Sequence, residues 1–168
     1  MEGLFCGKRL DDGKWVYGCY VRQYGGHMIY LAGADDDGFE YYHVDPMTVR
    51  PFTGLYDCTK WEELTTEERA LFLYPLDGVK RTRKDWKGRP IFEKDIVKHY
   101  NKIDVGEPNA FDIGEIYWNE DTCEFVRTSA KYKRELSIGS DCAYKIIGNI
   151  YDNKVIDFEE GDYSYEND

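Results

Sequence analysis

The segment 86–97 constrains the fold of this chain more than any other part of the sequence. It reads WKGRPIFEKDIV, a turn with Gly and Pro that leads into a short apolar run. Two later segments, 113–118 and 144–151, carry similar short runs of β-branched and aromatic residues. Turns followed by short, half-buried strands are typical of small β-barrels. The sequence therefore predicts an architecture and says little about chemistry.

The composition of the 168-residue chain also favours strands. Aromatic residues make up 16% of the chain and hydrophobic residues 42%, and aromatic and β-branched residues are enriched in β-structure. The Asp12–Gly13 pair predicts a tight turn between two strands within residues 7–22. Further strands are predicted at 27–32, 39–44, 95–100, 112–118, 123–128 and 144–151, with another near 135–138.

Residues 59–75 differ from the rest because they predict a helix. Thr65 and Glu68 have the spacing of a capping box, in which each side chain bonds the other residue's backbone N–H. The apolar run that follows stops at Pro75, and proline does not continue a helix. We therefore predict a mainly β fold, with small SH3-like or barrel-like β halves and a short helical insertion.

The pattern divides the chain into four parts, and the lack of a long flexible linker favours a joint core for the two β halves. The parts are an N-terminal β half at 1–56, an insertion with a short helix at 57–85, a barrel-like C-terminal β half at 86–156, and an acidic tail at 157–168. The tail holds six acidic residues and no Lys or Arg. Without it, 27 acidic and 22 basic residues give the body a net charge of −5, against −11 for the whole chain.

Composition excludes some protein classes. No run approaches the roughly 18 apolar residues of a membrane helix, and the first residues lack the apolar core of a secretory signal, so we expect a cytoplasmic protein. The odd number and wide spacing of the cysteines favour reduced thiols, with a disulfide between distant strands as the alternative. These cysteines are Cys6, Cys19, Cys58, Cys123 and Cys142.

Four sequence blocks occur in one order along the chain: 7–18, 44–55, 88–97 and 147–153. Together they resemble the YopX family of bacteriophage and prophage proteins. The resemblance implies a phage-derived, mainly β protein whose biochemical role is not established, without family catalytic residues. Family members usually pass directly from the second block to the third, whereas residues 58–85 intervene here. They also commonly carry a glycine at the position of Lys94.

The strongest candidate binding site is the basic segment 80–89, with a net charge of +5 on an acidic protein. Its candidate residues for an anionic partner are Lys80, Arg81, Arg83, Lys84, Trp86, Lys87 and Arg89. Cations that hold phosphates beside a ring that stacks on a base are the combination used for single-stranded nucleic acid. A protein partner, self-association, or a solvated loop covered by the acidic tail are the alternatives.

Other reactive residue types give weaker signals. His43 and Asp45 would share a face in a strand. The three consecutive Asp residues at 35–37 lack the alternating ligands of a calcium loop. The chain has no nucleophile elbow, phosphate-binding loop or His-Glu-x-x-His pair. We therefore expect no enzyme activity, no metal and no cofactor.

These observations predict a phage or prophage accessory protein that acts as a non-enzymatic protein-interaction module in the cytoplasm of the host bacterial cell. We expect its partner to be a host or phage protein or a second copy of the chain, because exposed edge strands invite pairing. The alternative is a nucleic-acid-binding accessory protein that uses residues 80–89. A hydrolase would instead need a polar pocket with a strongly perturbed acid–base residue.

Overall fold

The computed structural model describes residues 4–31, 40–73, 81–100, 111–139 and 143–152. Within these ranges the chain is mainly β, with two antiparallel sheets and one short α-helix, so the predicted fold class is confirmed. The strands are β1 (Leu4–Lys8), β2 (Trp15–Gln23), β3 (Gly26–Tyr30), β4 (Tyr41–His43), β5 (Arg50–Tyr56), β6 (Pro90–Phe92), β7 (Asp95–Tyr100), β8 (Phe111–Asn119), β9 (Glu124–Ser129), β10 (Arg134–Ser137) and β11 (Ala143–Asn149).

The first sheet has the strand order β4-β3-β2-β1-β5-β6 and curls into a half-barrel. The chain just after the edge strand β4 lies against the end of β1. Arg9 and Val44 form an isolated bridge there, and the Asp45 N–H donates to the Lys8 carbonyl at 2.8 Å. The concave face holds a core of apolar residues that alternate with outward-facing ones along each strand. This core consists of Val16, Ile29, Leu31 and Val44.

The second sheet has the order β10-β9-β8-β7-β11. Its core includes Val97, Ile116 and Tyr144, together with Ile91 from β6 of the first sheet. The short strand β6 pairs with β5, whereas β7 begins three residues later in the other sheet. Residues 86–156 thus contribute to both sheets, and a shared apolar cluster lies where the sheets meet.

The insertion contains the helix α1 (Thr66–Leu73) and the 3-10 turn Trp61–Glu63. The predicted capping box is confirmed: the Thr65 N–H donates to Glu68 Oε2 at 2.8 Å, and the Glu68 N–H donates to Thr65 Oγ1 at 3.2 Å. No helix in the described segments is long and apolar enough to cross a lipid bilayer.

Several residues singled out in the sequence lie outside the described ranges. They are the three aspartates at 35–37, Lys80 of the basic segment, Cys142 and the acidic tail 157–168.

Candidate functional site

A cleft of about 420 Å³ lies where the first sheet, the insertion and the second sheet meet. This volume falls within the range of small-ligand and side-chain pockets in proteins, roughly 300–1,000 Å³. Aromatic rings and aliphatic groups from all three parts of the chain form its walls. They are Trp15 and Tyr17 from β2, Leu64 from the insertion, Trp86 just after the insertion, Phe92 from β6 and Ile146 from β11.

Arg50 of β5 lines this cleft although its side chain is only 4% exposed. Its Nη1 donates to Asp95 Oδ1 at 2.5 Å and to the Glu93 carbonyl at 3.0 Å, which ties the first sheet to the start of β7. The guanidinium carbon lies 4.3 Å from the ring centroid of Trp15, a cation–π contact. Its Nε has no hydrogen-bond partner, the one such buried side-chain nitrogen or oxygen among the described residues.

Burial controls the ionisation of the groups around Arg50. It raises the pKa of the fully buried Cys6 thiol to about 12, an effect that the neighbouring guanidinium only partly offsets. Burial also raises the pKa of Asp95, although Arg50 and the Phe92 N–H both bond its carboxylate. Because the thiolate is the nucleophilic form of cysteine, the raised pKa and the complete burial of Cys6 both disfavour its reaction at neutral pH.

The charged groups at the rim of the cleft are paired with one another. Arg89 Nη2 donates to Glu68 Oε1 at 2.7 Å. Asp152 accepts from Trp15 Nε1 at 2.7 Å and forms an ion pair with Lys8. The pKa of Asp152 falls to about 2, because hydrogen bonds from Lys8 and other donors outweigh the opposing effect of burial.

The buried carboxylate of Asp57 holds the three sides of the cleft together. Its Oδ1 accepts from the backbone N–H groups of Thr59 and Arg89 at 2.9 and 2.8 Å, and its Oδ2 accepts from the Ile146 N–H at 3.3 Å. The chain passes close by at Gly88, whose φ is +114° and where a Cβ would lie 1.9 Å from the Asp57 carbonyl oxygen. The glycine of the third sequence block is therefore required by this close approach.

Two predicted residues of the basic segment, Trp86 and Arg89, lie in the wall of the cleft. Trp86 is anchored to the insertion, because its Nε1 donates to the Thr59 carbonyl at 2.8 Å. Its ring also makes edge contacts with Phe72 and Trp61, at centroid distances of 5.0 and 6.1 Å. These contacts hold the ring of Trp86 against the insertion, while part of the residue lines the cleft.

The described cations of the basic segment differ in their surroundings. Arg83 forms an ion pair with Glu62, just as Arg89 pairs with Glu68. The remaining described cations contact rings or lie exposed at the surface. Arg81 lies 5.8 Å from the ring centroid of Phe72, Lys87 lies 5.8 Å from that of Tyr56, and Lys84 is exposed.

His43 and Asp45, which the sequence offered as a pair, do not form a joint site. β4 ends at His43, and Asp45 caps the following 3-10 turn by accepting from the Met47 N–H at 2.9 Å, so the two do not share a strand face. In the described parts of the chain, no three His, Cys, Asp or Glu residues are grouped to hold a metal ion. Four cysteines there are free thiols: Cys6, Cys19, Cys58 and Cys123.

A second buried ion pair lies within the second sheet. Arg127 Nη1 donates to Asp112 Oδ2 at 2.5 Å, and Nη2 lies 3.1 Å from His99 Nδ1. Burial and the nearby Arg127 lower the pKa of His99. Burial opposes the charge of Asp112, but hydrogen bonds from Arg127 and Ser129 outweigh it, so the pKa of Asp112 is lowered.

Sequence reasoning missed Arg50, Asp57 and Asp95. Their partners are distant in the chain: 45 residues separate Arg50 from Asp95, and 89 separate Asp57 from Ile146. A weak signal existed at Arg50, a charged residue between the apolar Val49 and Pro51.

Residues 81–156 match the model of a protein family described as YopX protein. The resemblance drawn from the sequence blocks is confirmed over this range. No curated protein and no solved structure matches the chain. The matched range runs from the basic segment through β11 and includes the second sheet, Trp86, Arg89 and Asp95.

Proposed function

We propose that this protein, whose residues 81–156 match the YopX family model, is a phage or prophage accessory protein that acts as a non-enzymatic protein-interaction module. The observation that carries the proposal is an aromatic cleft whose ionisable groups are already bonded to one another. Such a cleft offers apolar contact area and few groups that are free to react.

The ionisation of the cleft supports binding over catalysis. A general acid or base works best with a pKa near the operating pH. Asp152, which lines the cleft, has a pKa of about 2, and the buried Cys6 next to Arg50 has a pKa of about 12, so both lie far from neutrality. The other two carboxylates of the cleft, on Glu68 and Asp95, each bond an arginine.

Nucleic-acid binding by residues 80–89 is the alternative function, and the surroundings of Trp86 disfavour it. Stacking on a base needs an open ring face, whereas Trp86 bonds the Thr59 carbonyl and packs against Phe72 and Trp61. The ion pairs of Arg83 and Arg89 also reduce the charge available to phosphates. Protein recognition is therefore the better supported function.

We propose a host or phage protein, or a second copy of this chain, as the partner, and the host cytoplasm as the site of action. The edge strand β10 offers a route to self-association, because its outer backbone groups are unpaired in the sheet. Sedimentation that shows only monomer at high protein concentration would remove the second copy as a partner.

Capture from host lysate tests the function with two baits, the wild-type chain and the triple variant Arg81→Ala, Arg83→Ala, Lys84→Ala. Each is used with and without nuclease. We expect both baits to retain the same protein, with nuclease treatment making no difference. Capture that disappears with nuclease, or with the triple variant, would instead support nucleic-acid binding. Failure of the wild-type chain to retain any protein would contradict the proposed function.

A further inference from the structure

We propose that the acidic tail, residues 157–168, binds the exposed cations of the basic segment 80–89 in the same chain. The inference goes beyond the proposed function, because it names the occupant of one surface and not the partner of the module. Three features support it: the position of the residue from which the tail continues, the reach of the tail, and the opposite charges of the two segments.

The last described residue, Asp152, lies on the rim of the cleft. Its carboxylate accepts from Trp15 Nε1 at 2.7 Å and forms an ion pair with Lys8. Trp86 and Arg89 of the basic segment line the same cleft. The residues that follow Asp152 therefore continue from a fixed point beside the basic segment.

A row of aromatic contacts connects the wall of the cleft with the basic segment. Tyr17 contacts Phe92 at a centroid distance of 5.5 Å, and Phe92 contacts Phe52 at 5.8 Å. Phe52 in turn contacts Tyr56 at 5.3 Å, and Lys87 Nζ lies 5.8 Å from the Tyr56 ring centroid. Lys87 is therefore only a few ring contacts away from Tyr17 at the cleft.

The tail is long enough to cover this distance. Tyr17 lies two residues from Trp15, which bonds Asp152, so the path from Asp152 to Lys87 is roughly 30 Å long. An extended chain spans about 3.3 Å per residue, and residues 153–162 alone therefore span about 33 Å. The acidic residues near position 160 can reach Lys87 without any change in the described fold.

The basic segment keeps a surplus of positive charge. Its described part, 81–89, holds five basic residues and one acidic residue. Two of the five pair with Glu62 and Glu68 of the insertion, which leaves this group with a net charge of +2. Within the described ranges, Lys84 and Lys87 are exposed and form no ion pair. Their ammonium groups form a surface for an anionic segment.

The acidic tail suits this surface in charge and in tethering. It holds six acidic residues and no Lys or Arg. Exposed ion pairs are individually weak, but a segment of the same chain is present at an effective concentration on the order of 1 mM. Weak pairs therefore suffice for the tail, and a free acidic partner at lower concentration must displace it. The tail thus limits which partners reach the basic segment.

Competition by a peptide in solution tests the inference. The probe is a fluorescently labelled synthetic peptide of residues 157–168, and it is added to the wild-type full chain and to a tail-neutral full chain. Fluorescence anisotropy at low salt should show at least about tenfold tighter peptide binding to the tail-neutral chain, because the wild-type tail occupies the surface. About 1 M salt should abolish the binding. The tail-neutral chain carries Asp157→Asn, Glu159→Gln, Glu160→Gln, Asp162→Asn, Glu166→Gln and Asp168→Asn.

Two charge-reversal variants of the tail-neutral chain locate the surface. Lys84→Glu with Lys87→Glu should weaken peptide binding at least about tenfold, because it reverses the exposed cations of the segment. Lys131→Glu with Arg134→Glu makes the same change in net charge at exposed residues next to β10 and should weaken binding less than about twofold. All four side chains are exposed, so the variants should fold as the parent chain does.

Nuclear magnetic resonance of the ¹⁵N-labelled wild-type and tail-neutral chains separates binding within one chain from binding between two copies. We expect the amide resonances of Lys84 and Lys87 to differ between the two chains, and the differences to be the same at high and at low protein concentration. Differences that grow with protein concentration would overturn the inference, because the tail would then bind a neighbouring copy.

Equal peptide affinity of the wild-type and tail-neutral chains would also overturn the inference, as would an equal loss of binding in the two charge-reversal variants. The inference and the proposed function fail separately. Lysate capture decides whether the chain binds another protein. Peptide competition decides only whether the chain's own tail occupies the basic segment.

Discussion

The junction of the two sheets and the interior of the second sheet each contain a buried arginine–aspartate pair. Both pairs are 2.5 Å long, and all four side chains are at most 6% exposed. In the second sheet the remaining contacts of Arg127 include His99, whereas at the junction Arg50 Nε has no partner. The guanidinium of Arg127 thus bonds both an aspartate and a histidine within its own sheet, whereas that of Arg50 keeps one buried nitrogen without an acceptor.

The two aspartates also differ in ionisation. Burial acts on both carboxylates, but it prevails only at Asp95, where it raises the pKa. At Asp112 the bonds from Arg127 and Ser129, together with the Lys131 N–H at 3.1 Å, lower the pKa. Hydrogen-bond donors lower the pKa of a buried carboxylate, and burial raises it when the donors are fewer.

Replacing each arginine tests this comparison with the largest expected effect. Arg127→Met should lower the free energy of unfolding by about 3–5 kcal/mol, because it leaves the charge of Asp112 buried without its partner. Arg50→Met should cost clearly less, because Asp95, whose pKa burial already raises, takes up a proton more readily. Urea unfolding of both variants measures the difference. If Arg50→Met lowered the free energy of unfolding as much as Arg127→Met, or more, the Arg50–Asp95 pair would stabilise the fold as strongly as the Arg127–Asp112 pair, contrary to this comparison.

Two glycines offer a matched test of close backbone approach. Gly88→Ala should cost about 2–4 kcal/mol, because the new Cβ meets the Asp57 carbonyl and the φ of +114° is strained for any side chain. Gly114→Ala places a Cβ 1.9 Å from the Thr128 carbonyl without positive φ and should cost about 1–3 kcal/mol. Thermal unfolding compares the two. A smaller loss of stability for Gly88→Ala than for Gly114→Ala would mean that residues 86–89 can move away from Asp57 at little cost in free energy.

The second sheet should lose stability as the pH falls from 7 to 5. The pKa of His99 is lowered in the folded state, so the unfolded chain binds the proton more readily and unfolding becomes easier below the ordinary value of 6.5. In His99→Gln this part of the pH dependence should flatten. The free energy of unfolding, measured at several pH values, checks the slope. An unchanged slope would exclude His99 as its source.

The smallest effect concerns Lys94, a non-glycine residue with φ of +66°. Lys94→Gly should be about 1 kcal/mol more stable than Lys94→Ala, because both lose the ion pair with Glu115 and only glycine relieves the left-handed strain. The glycine common at this position in YopX proteins fits the same geometry. Equal unfolding free energies of the two variants would refute the strain at this position.

Local features of the fold could be predicted from the sequence. The capping box of Thr65 and Glu68 spans four residues, and the turn at Gly13 has the positive φ that an Asp-Gly pair indicates. The strand predicted at 95–100 matches β7 in both bounds. These features depend on neighbours in the chain, so the order of residue types suffices.

The cleft could not be predicted because it depends on contacts between distant segments. Nothing near Arg50 in the sequence points to Asp95, and nothing near Trp86 shows that Thr59 and Phe72 hold its ring. The basic segment was identified by its charge alone. Its charge does not show that Arg83 and Arg89 pair with Glu62 and Glu68.

Double-mutant cycles of the two buried ion pairs, Arg127 with Asp112 and Arg50 with Asp95, test the central contrast most directly. We expect a larger coupling free energy between Arg127 and Asp112, because hydrogen bonds lower the pKa of Asp112 whereas burial raises the pKa of Asp95. An equal or larger coupling free energy between Arg50 and Asp95 would contradict the account.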